Sequence, residues 1–169
     1  MNSIKIIQEL ERNNTVFKAL LLSSTKEEYL WKPNQSKWCL LEIVCHLNDE
    51  EIEDFRTRVH SVLDNPEITL PPIDPVKWVM ERKYLEQDYN TKVDSFIKER
   101  EKSIEGLQQL KAPKWDNSYS HPKLGPMSAK LFLSNWLAHD YLHIRQILSL
   151  KFEYLKYHSG ENLNYAGEW

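Results

Sequence analysis

His139 and His143 stand four residues apart in Asn135-Trp136-Leu137-Ala138-His139-Asp140-Tyr141-Leu142-His143-Ile144-Arg145-Gln146, a strongly helical and apolar context. Residues at that spacing project from one face of a helix, one turn above the other, so both imidazoles can reach a single cation. Burying two imidazoles side by side is costly unless their nitrogens find partners, and a bound cation satisfies both while keeping them neutral. The zincin motif, which also pairs histidines at this spacing, needs a glutamate directly after the first, and Asp140 stands there instead. That metalloprotease reading is therefore excluded. A third imidazole, His46, falls on another helical stripe and completes a potential three-histidine facial site with positions left open to water or substrate.

Three further residues could do chemistry beside such a site. Asp49 and Glu50 are candidates for a general base or for orienting a ligand, and Gln146, one turn beyond His143, could hydrogen-bond a metal-bound water. Each has a plain alternative. Glu50 and Glu53 read equally well as a solvated acidic face. A lone His46 beside Leu47 would be a satisfied core histidine if nothing else in the chain called for it. Arg100 reads first as a snorkelling or salt-bridged residue and second as an anion contact. Trp136 reads as core filler, His121 as an exposed loop residue, and Cys39 as too far along the axis from His46 to share its ion.

Four long helices must position these groups. The first is expected over residues 3–22, with Ile7, Leu10, Phe17, Leu20 and Leu21 forming a stripe interrupted by Asn13 and Asn14. The second is expected over 37–63 with Ser36 as N-cap, carrying Leu40, Leu41, Val44, Leu47, Phe55, Val59 and Val62 on one face. At 100° per residue its other face lines up Cys39, Ile43, His46, Glu50, Glu53 and Thr57. A third runs over 85–110 through Tyr89, Val93, Phe96, Arg100, Ile104 and Leu107. The fourth, capped by Ser128, continues to about Leu150, with Phe132, Trp136, His139, His143, Gln146 and Leu150 spaced as residues facing a bundle axis. Between them lie a connection with a short helical turn at 25–30, a proline-rich crossover at 65–75 followed by a short piece packing Trp78 and Val79, and a loop at 111–127 whose prolines and glycine argue against regular structure.

The 169 residues, 41% of them hydrophobic, suit one domain spanning 1–169 with a sizeable core. A formal net charge of -3 with interspersed signs gives no basic stripe, which argues against nucleic acid or an anionic membrane surface as partner. The first ten residues lack the unbroken apolar core of a signal peptide, and no apolar run reaches transmembrane length. Cys39 and Cys45 point to different sides of the predicted second helix and cannot bridge each other, which fits a reducing cytoplasm.

Several segments together resemble the DinB-like superfamily of metal-dependent proteins, which includes YfiT-like proteins. They are Trp31-Lys32-Pro33, Lys37-Trp38, Glu42, His46-Leu47-Asn48-Asp49, His121-Pro122-Lys123-Leu124-Gly125-Pro126, His139-Asp140-Tyr141-Leu142-His143-Ile144-Arg145-Gln146-Ile147 and the terminal Tyr165-Ala166-Gly167-Glu168-Trp169. The resemblance implies an all-α four-helix bundle of up-down-down-up connectivity with long crossover loops. It also implies a metal held by His46, His139 and His143, frequent homodimers, and, for some members, transfer or hydrolysis chemistry involving low-molecular-weight thiols.

The expected protein is thus a divalent-metal-dependent enzyme, an S-transferase or a hydrolase, acting on a small molecule. Three imidazoles suit zinc, nickel, iron and copper alike; zinc or nickel leads as the assignment, with iron or manganese behind. Two other readings are a bundle whose metal is purely structural and a non-catalytic interaction module presenting its six tryptophans and eight tyrosines.

Overall fold

The computed structural model describes residues 1–167, so Glu168 and Trp169 of the terminal segment lie outside the described residues. Helix α1 (Ser3–Leu21) begins where the Asn2 side chain accepts the Lys5 backbone N–H. A short α2 (Lys26–Leu30) is closed at its start by a reciprocal Thr25–Glu28 capping box. The second long helix is α3 (Leu40–Asp49), a π-helical segment (Glu50–Arg56) and α4 (Thr57–Asp64) run end to end. Its N-cap is Cys39 rather than Ser36, because Glu42 reaches back to accept the Cys39 N–H at 2.9 Å and is itself held by Lys32 at 2.6 Å. The proline-rich crossover leads into α5 (Pro75–Glu81) and a 3₁₀ turn (Tyr84–Glu86), then α6 (Tyr89–Gln109). The last long helix, α7 (Ala129–Ser159), starts at Ser128 as expected but continues nine residues past Leu150, ending where Gly160 takes φ 66°.

Contacts between side chains fix the direction of each helix. Glu11 meets Gln108, Lys18 meets Glu101, and the Leu21 carbonyl meets Tyr89, so α1 and α6 are antiparallel. Glu51 meets Arg100, Arg56 meets Ser103, and His60 lies against Gly106, so the second long helix runs parallel to α6. His46 meets His143 while Glu51 meets Trp136, so it is antiparallel to α7. The connectivity is up-down-down-up, with long crossovers.

The loop expected over 111–127 contains a hairpin, β1 (Ser118–His121) paired antiparallel with β2 (Gly125–Ser128). His121 makes that turn possible: its Nδ1 accepts the backbone N–H groups of Lys123 at 3.1 Å and Leu124 at 3.0 Å, and Gly125 supplies φ 74°. Proline signals had masked a strand pair that needs only a few residues of extended backbone.

The core has two apolar parts. One gathers Phe17, Leu21, Leu40, Leu41, Ile43, Val44, Leu47, Phe96, Ile147 and Leu150; the other gathers Ile6, Leu10, Phe55, Val59, Leu107, Phe132, Leu133, Trp136 and Leu137. On every long helix, polar residues fall between them: Asn13 and Asn14, Asn48 to Glu51, Arg100 and Ser103, and His139 to His143. The bundle therefore carries a polar layer across its middle. Replacing Phe132 or Leu137, each 5% exposed, with alanine is expected to cost about 2–5 kcal/mol in urea unfolding, with the m-value unchanged.

Candidate metal centre

His46 occupies the last turn of α3, and His139 and His143 lie on the facing side of α7. Their Nε2 atoms converge: His139 Nε2 lies 3.2 Å from that of His46 and 3.1 Å from that of His143. Three nitrogens bound to one cation at roughly 2.0–2.1 Å stand about 2.9–3.4 Å apart; the two pairs through His139 have that spacing, and the three residues offer ligand atoms all within 4.8 Å of one another, a grouping suited to one divalent ion. His143 is oriented for this. Its Nδ1 lies 2.8 Å from Gln146 Oε1, an oxygen that can only accept, so the proton sits on Nδ1 and the Nε2 lone pair faces the centre. His46 Nδ1 is buried without a protein partner.

Burial keeps the imidazoles neutral. It pushes the pKa of His46 down to about 3, helped by neighbouring His143, and that of His139 down to about 2, helped by His143 and His46. His143 is also lowered by burial, against the opposing pull of Gln146 and Asp140. Neutral imidazoles with converging lone pairs are the form in which histidine binds metal.

The three proposed helpers are placed differently. Gln146 serves His143, as above. Asp49 is buried and accepts from Tyr84 Oη at 2.8 Å, Arg82 Nη1 at 2.9 Å and Asn48 Nδ2 at 3.2 Å, which ties the crossover onto α3. Glu50, one turn beyond His46, is 4% exposed and its Oε1 has no partner. Burial, and then the adjacent Asp54 carboxylate, push its pKa up to about 8. Glu53, expected on the same stripe, is exposed and paired with Arg82.

The π-helical segment explains that departure. Leu47, Glu51, Phe55 and Val59 are all buried, each four residues from the next. Three such steps would rotate a regular α-helix face by about 120°. The i→i+5 bonds of the π segment absorb the excess and turn Glu51 inward in place of Glu53.

Below the histidines lies an ion network that the sequence showed only in part. Arg100 grips Asp140 in a bidentate pair at 2.6 and 2.8 Å and reaches Glu51 at 2.9 Å. Trp136 Nε1 donates to the same Glu51 oxygen at 3.0 Å, and Asn13 donates to Asp140 at 3.1 Å. Asp140 and Trp136 sit beside and one turn before His139, so the network anchors the helix that presents two of the three imidazoles. Trp38, whose ring centroid lies 5.0 Å from that of His46, covers another side. Nothing in the spacing of the chain pointed to it. A cavity of about 650 Å³ opens beside His143 and Gln146, between the segment 33–38 and α7.

The fold is thus an up-down-down-up four-helix bundle with three inward histidines on its second and fourth long helices. The chain belongs to the DinB superfamily, whose family profile matches residues 9–147. Among solved structures it is similar to YfiT from Bacillus subtilis, described as a probable metal-dependent hydrolase with an unusual four-helix bundle topology, at a TM-score of 0.77 and 18% identity over 95% of this chain and 89% of that one. A comparison with curated proteins finds no match.

Proposed function

We propose that this chain is a metal-dependent enzyme acting on a small molecule, with a divalent cation held by His46, His139 and His143. The observation that carries the reading is the convergence of three neutral imidazoles in the polar middle of the bundle, with His139 Nε2 3.2 Å from that of His46 and 3.1 Å from that of His143, and all three within 4.8 Å of one another. A divalent ion there would supply Lewis acidity and lower the pKa of a water, for hydrolysis, or of a low-molecular-weight thiol, for S-transfer. Similarity to a protein described as a probable metal-dependent hydrolase favours hydrolysis. Zinc or nickel leads as the ion, with iron or manganese next.

The chain's own groups have distinct roles in this reading. Gln146 fixes the His143 tautomer. Glu50, held protonated near neutral pH, is a proton donor more readily than a base. Asp49, with its acceptors taken, positions the crossover. A homodimer in the cytoplasm belongs to the same proposal; two free, buried thiols support that compartment, and among the described residues no helix is long and apolar enough to cross a membrane.

Elemental analysis of tag-free protein tests the first step. About one divalent ion per chain is expected, together with a rise in Tm on adding metal to stripped protein; neither appearing would overturn the reading. A chelator that melts the fold, while small thiols leave the spectrum of a cobalt-loaded sample unchanged, would mark the ion as structural instead. Gln146→Leu is expected to weaken metal affinity about 10- to 100-fold in a chelator competition while leaving helix content intact.

A further inference from the structure

The cavity beside His143 is a trough along α7. Its lining on that helix runs from Leu142 and His143 through Arg145, Gln146, Ser149 and Leu150 to Glu153. The ten helical steps from His143 to Glu153 span about 15 Å, and a volume of about 650 Å³ lies within the range of small-molecule sites. The opposite wall is Pro33, Asn34, Lys37 and Trp38.

The charges in this trough are uncommitted. Among the described residues neither Lys37 nor Arg145 belongs to an ion pair, and neither does Glu153. Nearby cations are spoken for: Lys32 is held by Glu42 at 2.6 Å, and Arg82 by Asp49 at 2.9 Å. Two cations and one carboxylate leave the trough one positive charge, with Trp38, Leu142 and Leu150 as apolar contact.

We infer that the small molecule handled at this site carries a carboxylate, bound by Arg145 and Lys37, with its reacting end toward His143, the histidine of the trio that lines the trough. The inference rests on the metal reading above and names its substrate class. A guanidinium takes a carboxylate through two parallel hydrogen bonds. The single net charge matches a monoanion better than a phosphate monoester, which carries close to two negative charges at neutral pH. Glu153 lies toward the far end, where it repels a second anionic group.

Cobalt-loaded protein tests this with three thiols of similar size, their binding read from the change in cobalt absorption at low ionic strength. The anionic 3-mercaptopropionate is expected to bind about tenfold more tightly than neutral 3-mercapto-1-propanol, with cationic cysteamine weakest. Changing both Lys37→Gln and Arg145→Gln is expected to erase that preference, leaving cobalt content and the affinity for the neutral thiol unchanged. Equal affinities for the three thiols, or a preference that survives in the double variant, would overturn the carboxylate assignment while the metal reading stands. A protein that takes up no stoichiometric cobalt would overturn both.

Discussion

Arg100→Met is expected to destabilise the protein by about 3–5 kcal/mol, more than removal of either of its carboxylate partners. Arg100 is 1% exposed, Glu51 1% and Asp140 0%, so the cluster holds one cation between two carboxylates out of reach of water. Burial works against the guanidinium charge, but Asp140 and Glu51 outweigh it and raise its pKa. Burial conversely raises that of Glu51, with Arg100 as the opposing pull. Removing Arg100 leaves two carboxylates facing each other without a counter-ion, whereas Asp140→Asn leaves one cation with one anion and keeps an acceptor for Asn13. The order of stability in urea is therefore wild type, Asp140→Asn, then Arg100→Met. An Arg100→Met protein within about 1 kcal/mol of wild type would show that the cluster is neutral in the folded state. Because Asp140 adjoins His139, the same variants should also loosen the metal centre, which a chelator competition reads separately from unfolding.

The residues that gave the fold away are those whose burial follows a regular helical period. Tyr89, Val93, Phe96, Arg100, Ile104 and Leu107 all face inward on α6 as their spacing predicts. Phe132, Trp136 and Leu150 do so on α7, with the histidines between them. What escaped is what breaks the period or depends on distant partners. The π segment re-phases the second long helix, so Glu51 and Glu53 exchanged roles, and no residue type announces i→i+5 bonding. Arg100 stood visibly within an apolar stripe, but its partners lie 49 and 40 positions away, beyond any local pattern. Asp140 could have been found: Leu133, Trp136, Asp140 and Ile147 are all buried and follow helical spacing, which marks a carboxylate on a core face that demands a cation. The 118–128 hairpin is set by two His121 hydrogen bonds that composition does not reveal.

Without metal, the protein is expected to be most stable near pH 6.5 and to weaken on both sides for different reasons. On the acid side, His46 and His139 have folded pKa values of about 3 and about 2 against an ordinary 6.5. Above pH 6.5 both are neutral whether folded or not, and they contribute nothing to the pH dependence. As pH falls below that, the unfolded chain takes up protons that the folded one refuses, so stability drops by about 1.4 kcal/mol per pH unit for each histidine. On the alkaline side Glu50 acts in the opposite sense, its folded pKa of about 8 standing above the ordinary 4.5. Between those values the folded state holds a proton that the unfolded state has lost, so stability falls as pH rises toward 8. In the overlap from about 4.5 to 6.5 the histidines outnumber Glu50, and below that range only their slope remains. The flanks separate by mutation: changing all three histidines to glutamine should abolish the acid flank, so that stability no longer falls below pH 6.5, and Glu50→Gln should raise stability at pH 8 by about 4 kcal/mol with little effect at pH 4.5. Urea titrations of stripped protein across pH 4–9 measure both. A divalent ion supplied at neutral pH adds stability that protons must compete away, so the acid transition should move to lower pH on metal loading if the three histidines hold the ion, and stay where it is if they do not.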